Sequence, residues 1–209
     1  MLVKDLGGGA LVDLASSGIA GEPTVRACVD AGADLVCFST DKVLGGPQGG
    51  AIVGKFEWVE KARRDPLARA LRIGRLPLAA LEATLACYLE GVSDEVPALA
   101  ALLAPLEQVR ARAQAWCAWL DARGVSARVV EIASAVGGGA CAEQPVASAG
   151  IAIECAGAER IAAHLRREKP AVLGRIHEGA LLFDARTVLP GEDDVMLKAV
   201  VRGVLGTTA

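Results

Sequence analysis

The stretch STDKVLGGPQGG, from Ser39 to Gly50, sets the fold and the chemistry open to this chain. Residues 33–38 (ADLVCF) come just before it and predict a short buried strand, so Lys42 stands where a strand passes into a glycine-rich loop. Such a lysine has an apolar wall beside it and flexible backbone around it. This is the usual setting of a lysine that holds pyridoxal phosphate (PLP) as a Schiff base. The alternative is a surface lysine in a glycine-rich turn.

Residues 33–54 (ADLVCFSTDKVLGGPQGGAIVG) closely resemble the block around the PLP lysine of bacterial selenocysteine synthases, the L-seryl-tRNA(Sec) selenium transferase family. The resemblance continues on both sides of this block. The further similar segments are DLGGGALVDL (5–14), PLARALR (66–72), LAALEATL (78–85), GRI (174–176) and LLFDAR (181–186). The similarity therefore covers nearly the whole chain, and it corresponds to the C-terminal half of the longer family members.

The resemblance implies an α/β fold that is part of a fold-type-I PLP-dependent transferase. Residues 1–105 would form an incomplete large domain with a mixed sheet, and residues 106–209 would form a small α+β domain. The family's tRNA-binding N-terminal domain and its site for the cofactor phosphate would then lie outside these residues. We therefore expect the chain to be a fragment that is inactive by itself, from a truncated gene, a split gene or a partial sequence.

The activity that the resemblance implies is PLP-dependent conversion of seryl-tRNA(Sec) to selenocysteinyl-tRNA(Sec), with selenophosphate as the selenium donor. It also implies a cytoplasmic homo-oligomer whose tRNA contacts are made mostly by the N-terminal part. Two alternatives stay open. One is a paralogous PLP-dependent lyase that acts on a small amino acid or amino sugar, and the other is a non-catalytic oligomerisation remnant.

Four residues near the lysine block are candidates for work on the cofactor. Lys42 would bind PLP and later take the α-proton of the substrate. Asp5 would hold the protonated pyridine nitrogen, which PLP needs as an electron sink, although an aspartate before glycines also often forms an Asx-turn. Ser39 would bind the cofactor phosphate. Asp41 would assist catalysis, or else form a structural ion pair.

Three arginines are candidates for binding anionic groups. Arg69 and Arg72 match a family pair that holds an anion in the active site, and guanidinium groups bind phosphate-like oxyanions well. They would share one face if the stretch is helical. Several other basic residues are nearby, so a solvated basic face is the alternative. Arg175 would hold the substrate carboxylate.

Composition narrows the classes of function. The formal net charge is -3, which gives no overall basic footprint for nucleic acid. The sequence contains no apolar run of the length and pattern that would predict a membrane span or a signal peptide. The six cysteines are scattered without a C-x-x-C pair, which favours reduced core thiols. With two histidines, the sequence predicts no metal site.

Periodicity and turn residues predict alternating helices and strands. Helices are expected over 22–31, 56–64, 76–90, 106–123, 158–167 and 193–205, and strands over 34–39, 51–53, 126–132, 148–155, 172–176 and 181–183. Asp5 is expected at the end of a further short strand, and Gly137–Gly139 in a loop. Thr40 replaces a glycine of the family's lysine block, and would either crowd the cofactor or offer its phosphate another hydroxyl.

Overall fold

The structure is a computed structural model that describes residues 1–19, 22–137 and 145–206. The chain forms two compact units. The first comprises Met1–Leu103 with the described residues of Ala135–Val146. The second comprises Ala104–Ser134 with the described residues of Ala147–Ala209. The predicted division into 1–105 and 106–209 remains a prediction, and no sequence pattern indicates the return to the first unit after Ser134.

A three-stranded mixed sheet forms the centre of the first unit. β1 (Val3–Gly7) runs parallel to β2 (Leu35–Ser39), and β3 (Gly50–Gly54) runs antiparallel to β2 on its other side. Parallel neighbours require a crossover connection, and α1 (Val25–Asp30) lies in it. The carboxyl ends of β1 and β2 therefore lie at the same edge of the sheet, and β2 leads from that edge into the loop that carries Lys42.

Alternation along β2 separates a buried face of this sheet from an open one. Val36 and Phe38 are buried, whereas Leu35, Cys37 and Ser39 are half-buried. The buried pair packs with side chains from α1 and from residues 40–49, the lysine loop that joins β2 to β3. These side chains are Val25, Cys28 and Leu44.

Asp34 ties the three strands together at the opposite edge. Its carboxylate accepts hydrogen bonds from the Leu2 amide and the Lys55 ammonium, both at 2.6 Å. The Lys55 hydrogen bond and then the Leu2 amide lower the pKa of Asp34. Gly54 also fits this corner, because a Cβ there would collide with the Asp34 carbonyl oxygen and its φ of 144° disfavours other residues.

Helices and short turns account for most of the remaining first unit. The further helices are α2 (Phe56–Arg64), α3 (Pro66–Leu71), α4 (Arg75–Glu90) and α5 (Pro97–Leu103), with 3-10 turns at Ala15–Ser17 and Ser93–Glu95. The predicted helices over 56–64 and 76–90 are confirmed. α3 and α5 are additions that the sequence analysis did not predict. Asp65 is the N-cap of α3: its side chain accepts from the Leu67 amide at 2.8 Å, and Pro66 takes the first helical position.

The longest helix of the first unit, α4, contains no fully buried residue. Leu81, Leu85 and Tyr88 are partly buried against the sheet core at helical spacing. Leu78 and Leu89 are 50% and 89% exposed. Since only Arg75, Glu82 and Glu90 of its 16 residues are charged, α4 presents an uncovered apolar surface.

The second unit is a four-stranded sheet with helices packed on one face. Its elements are α6 (Leu106–Asp121), β4 (Arg128–Ser134), β5 (Val146–Glu154), α7 (Ala158–Leu165), β6 (Arg175–His177), β7 (Ala180–Asp184) and α8 (Asp193–Gly206). The strand order is β4-β5-β7-β6. Trp116, Leu165 and Val200 from the three helices join Ile151 and Phe183 from the sheet in one core. This is a two-layer α+β arrangement.

Several expectations concern what the chain lacks. The cysteines that the structure describes, Cys28, Cys37, Cys87, Cys117 and Cys155, are free thiols. Cys141 and the predicted loop residues Gly138 and Gly139 lie outside the described residues. Among residues 1–19, 22–137 and 145–206, no helix has both the length and the apolar composition that crossing a membrane requires. No cluster of three or more metal-ligating side chains was found in the same ranges.

Candidate active site

The loop that carries Lys42 is closed by its own backbone. The Thr40 amide donates to the Gly49 carbonyl at 2.9 Å, and the Gly46 amide donates to the Thr40 carbonyl at 2.8 Å. The Gly45 amide donates to the Lys42 carbonyl at 2.9 Å. The base of the loop is thus fixed where β2 ends, while the Lys42 side chain is half-buried.

Thr40 takes part in this closure through its side chain as well as its backbone. Its side chain is buried, and its hydroxyl donates to the Pro47 carbonyl at 2.6 Å. A Cβ on Gly49 would come within 3.0 Å of the same hydroxyl oxygen. The Thr40 hydroxyl therefore donates within the loop, and the two roles considered for this residue, crowding the cofactor or binding its phosphate, stay predictions.

The loop after β1 packs directly against the lysine loop. The Val43 amide donates to the Gly8 carbonyl at 3.1 Å. A Cβ on Gly9 would lie 2.5 Å from the Ser39 carbonyl oxygen and 2.9 Å from the Phe38 ring, so only glycine fits there. The contact brings the β1 end, near Asp5, and the β2 end, near Lys42, to one place at the carboxyl edge of the sheet.

Asp5 and its neighbours on this edge remain accessible. Asp5 pairs with Cys37 across the parallel strands and is exposed. Its Oδ1 accepts from the Gly7 amide at 3.3 Å, which is the Asx-turn contact considered as the alternative role. That long hydrogen bond occupies one oxygen of the carboxylate. Ser39 is half-buried, and Asp41 is exposed with no ion pair among the described residues.

Tyr88 of α4 is hydrogen-bonded to the lysine loop although it lies far from that loop in sequence. The sequence analysis did not identify this residue. Its hydroxyl donates to the Leu44 carbonyl at 2.8 Å across 44 residues. Burial, with a smaller effect of Cys87, raises the pKa of Tyr88 to about 12. The available signal was a single tyrosine on the partly apolar face of a helix, but nothing in the sequence indicates which carbonyl it meets.

The structure distinguishes Arg69 and Arg72 from the other basic residues around them. Arg63 and Arg64 both bind Glu60, each at 2.7 Å, and Lys61 lies over the Trp58 ring. In the described part of the chain, Arg69 and Arg72 are exposed and make no ion pair.

The two arginines do not share a helical face. α3 ends at Leu71, and Arg72 is extended with ψ of 139°. Their spacing of three residues therefore does not put the two side chains on one face of a helix. Arg69 projects from a helix, whereas Arg72 projects from extended backbone.

Arg175 lies in the second unit, on the edge strand β6. It lines an open groove of about 570 Å³ on the sheet face without helices, with Val130 and Leu182 among the apolar residues of the groove. Arg128 in the same groove pairs with Glu154 at 3.4 Å. Arg175 has no such partner among the residues that the structure describes.

Comparison with known proteins identifies the family. The profile of the family described as SelA, L-seryl-tRNA selenium transferase, matches residues 1–189. The chain belongs to this family. It is 44% identical to the L-seryl-tRNA(Sec) selenium transferase of Moorella thermoacetica, over 98% of this chain and 45% of that protein. It is 42% identical to the corresponding protein of Carboxydothermus hydrogenoformans, over 97% of this chain and 44% of that one.

The chain thus spans less than half the length of these relatives. Among solved structures, a D-glucosaminate-6-phosphate ammonia-lyase superposes on all of this chain and on 50% of its own, with a TM-score of 0.62 at 21% identity. The predicted fold class is confirmed: the chain has the α/β fold of part of a fold-type-I PLP enzyme, with a mixed sheet and a separate α+β unit.

The Tyr88 hydrogen bond gives a testable link between α4 and the lysine loop. Tyr88→Phe leaves the buried Leu44 carbonyl without this donor, so we expect the free energy of unfolding at pH 7 to fall by about 1 kcal/mol. Urea unfolding of the variant and the parent chain measures this difference. An unchanged midpoint at equal slope would argue against the hydrogen bond.

The same residue predicts a pH dependence. The pKa of tyrosine is about 10 when unfolded, and that of Tyr88 is about 12 when folded. Between these values the unfolded state releases the proton first, so stability falls as pH rises from about 10 to about 12. Because Tyr88 is the only tyrosine, phenolate absorbance reports it alone. Titration near 10 in the folded chain would contradict the burial, and Tyr88→Phe should lose both the signal and its share of the pH-dependent fall.

Proposed function

We propose that this chain supplies the lysine-bearing part of a PLP-dependent enzyme that converts seryl-tRNA(Sec) to selenocysteinyl-tRNA(Sec) with selenophosphate. The observation that carries the proposal is the contact between the two loops at the carboxyl edge of β1 and β2, where Val43 meets Gly8. This contact brings the loop that follows β1, the strand of Asp5, against the loop that carries Lys42. Membership of the selenium transferase family supports the choice of substrate.

The side chains at this edge fit PLP by their chemistry. A primary amine, a carboxylate and a hydroxyl are available on Lys42, Asp5 and Ser39, and none of these three is fully buried. When bound, PLP supplies an electron sink that eases loss of the α-proton and of the β-hydroxyl of a serine residue.

Each residue then has a defined task. Lys42 Nζ is the covalent attachment point and, once released, accepts the α-proton. The Asp5 carboxylate keeps a proton on the pyridine nitrogen, and the Ser39 hydroxyl donates to the phosphate. Asp41, exposed and without an ion pair among the described residues, is left to assist the later selenium step.

Arg69 and Arg72 are proposed to bind selenophosphate. The basic residues just before them are already engaged by Glu60 and Trp58, so these two remain available for an outside anion. A guanidinium group presents paired donors that match phosphate-like oxygens. Their different backbone settings allow them to approach one anion from two directions.

Arg175 separates the proposed reaction from the lyase alternative. The carboxyl group of seryl-tRNA is esterified to ribose and carries no charge, whereas a free amino acid keeps its carboxylate. A carboxylate-binding role for Arg175 therefore belongs to the lyase reaction, and the transfer reaction gives this arginine no anion of that kind. The amino-sugar version of the lyase has no such requirement.

The uncovered apolar surface of α4 supports an assembled enzyme. Leu76 and Leu89 are 85% and 89% exposed in a helix with few charges. Exposed apolar surfaces of this kind are typical of protein interfaces. We propose that the active form is a homo-oligomer of chains that also contain the part of the relatives that these residues do not match.

The central prediction concerns Lys42. The 209-residue chain is co-expressed with the unmatched part of the Moorella thermoacetica relative, given PLP and treated with borohydride. We expect the reduced cofactor on the peptide that contains Lys42, because that amine alone lies on the loop at the carboxyl edge. Peptide mass spectrometry measures the label without requiring turnover. The chain expressed alone is expected to show no conversion of seryl-tRNA.

Two variants calibrate the labelling. Lys42→Ala should abolish it, and Lys61→Ala, which removes a lysine stacked on Trp58, should keep it. Label on another lysine, or label that persists in Lys42→Ala, would remove the catalytic content of the proposal. Absence of label in every form would favour the non-catalytic remnant.

The selenophosphate assignment predicts a separation between neighbouring arginines. Arg69→Ala or Arg72→Ala in the co-expressed enzyme should reduce kcat/KM for selenophosphate by about tenfold to a hundredfold, since each loses a charge-assisted hydrogen bond. Borohydride labelling of Lys42 should not change. Arg64→Ala is the matched control, because it removes the same charge from a residue that already binds Glu60. Equal losses in all three variants would indicate a general basic surface instead.

Arg175 provides the test between the two reactions. In the transfer reaction, Arg175→Ala should leave KM for seryl-tRNA nearly unchanged. If the enzyme eliminates a group from a free amino acid, the same variant should raise KM for that amino acid by about tenfold or more. Arg128→Ala, in the same groove but paired with Glu154, is the control for groove damage. A large rise for the free amino acid together with no transfer activity would replace the proposed function by the lyase.

A further inference from the structure

The segment LLFDAR (181–186) has no part in the proposed reaction, yet it ends in two charged residues that are not at the surface. Asp184 is half-buried at the end of β7, and Arg186 is 7% exposed. Both belong to the second unit. The main chain passes between the units at three points, after Leu103, after Ser134 and after Val146.

Arg186 binds the chain beside two of these crossings. Its Nη1 donates to the carbonyl of Ala104 at 2.8 Å, and its Nη2 donates to the carbonyl of Ala147 at 2.6 Å. Ala104 is the first residue of the second unit after the first crossing, and Ala147 is the first after the third. One planar guanidinium thus fixes two chain segments that are 43 residues apart in sequence (147 minus 104).

Asp184 binds beside the remaining crossing. Its Oδ2 accepts from the hydroxyl of Ser134, the last residue before the second crossing. Its Oδ1 accepts from the Ser148 hydroxyl at 2.6 Å and from the Arg186 amide at 3.0 Å. The two serines are buried, at 7% and 2% exposure, so these hydrogen bonds are shielded from water.

We propose that Asp184 and Arg186 form a crossing clamp, a pair of residues that fixes the chain of the second unit at all three points where it leaves for the first unit. The clamp leaves Leu103 and residues 135–137 and 145–146 outside it. All hydrogen bonds of the clamp lie within the second unit, so we expect its loss to loosen the chain first at the residues beside these crossings.

The position of the clamp follows from the sheet. Asp184 pairs with Gly150 in the antiparallel register of β7 and β5, and the Ala185 amide donates to the Ala149 carbonyl at 3.0 Å. The turn after β7 is thereby held against the start of β5. Burial lowers the pKa of Arg186, and the Asp184 carboxylate opposes this effect. A buried charge of this kind is strongly destabilising unless its partners remain in place.

A second arginine of the same unit shows what a purely internal role looks like. Arg112 on α6 donates to the carbonyls of Ala185, Val188 and Leu189 and pairs with Asp193 at 2.7 Å. Arg112 therefore binds three backbone carbonyls, and none of them adjoins a crossing. It is a matched control for loss of arginine hydrogen bonds within the second unit.

Hydrogen exchange followed by mass spectrometry on the 209-residue chain tests the clamp. Arg186→Lys keeps the charge but loses the fork that reaches two carbonyls at once. We expect amide exchange to become about tenfold faster or more in peptides covering 103–107 and 146–149. Ser134→Ala removes only the hydrogen bond at the second crossing and should speed exchange in 131–137 alone.

The control and the contrary outcomes are specific. Arg112→Lys should speed exchange around 185–193 and leave the three crossings unchanged. The proposal is overturned if Arg186→Lys acts only at 184–187, if it speeds exchange evenly over α6, α7 and α8, or if Arg112→Lys affects the crossings equally. Should Arg186→Lys fail to fold, the restriction of the Ser134→Ala effect to the second crossing decides the question, and a spread to all of the second unit counts against the clamp.

Discussion

The candidate site depends on one constraint, the parallel pairing of β1 with β2. Parallel strands end at the same edge, so the chain after β1 and the chain after β2 must share limited space. The residues of the two loops fit within this space. Gly9 has no Cβ where one would strike the Ser39 carbonyl, and the Gly8 carbonyl receives the Val43 amide. The loop after β1 and the loop that carries Lys42 are therefore in backbone contact at this edge.

Charge pairing within the first unit decides which basic residues are left for ligands. Glu60 accepts from Arg63 and Arg64, and these hydrogen bonds lower its pKa to about 2. It stays ionised, and both arginines stay engaged, at any pH near neutral. A count of basic residues would have treated all of them as one solvated face. The structure instead shows that Arg63 and Arg64 on α2 are engaged by Glu60. Arg69 and Arg72, on either side of the end of α3, make no ion pair among the described residues.

Sequence patterns predicted the helices and strands whose formation depends on residues close together in the chain. The helices over 56–64 and 76–90 and the strand before the lysine were predictable because periodicity and proline positions are properties of neighbouring residues. α3 was missed because a six-residue helix between Asp65 and Arg72 leaves too short a pattern. The hydrogen bond of Thr40 was not predicted, since its hydroxyl partner is Pro47, seven residues away across a loop. The contacts of Tyr88 and Arg186 join segments 39 to 82 residues apart, and no spacing rule reports them.

The position of the lysine loop depends on α4, because a side chain of that helix is hydrogen-bonded to the loop. Tyr88 carries the hydrogen bond to Leu44 from α4, and α4 packs on the sheet core through the stripe of Leu81, Leu85 and Tyr88. The rest of that helix, with Leu78 and Leu89, faces outward without cover. A partner that packs on this surface binds the folded helix and not the unfolded one, and so stabilises it by mass action. Because the same helix holds the loop at Leu44, covering α4 also restrains the backbone two residues from Lys42. In the proposed assembly, packing of a partner on α4 and the positioning of the lysine loop are therefore coupled through a single helix.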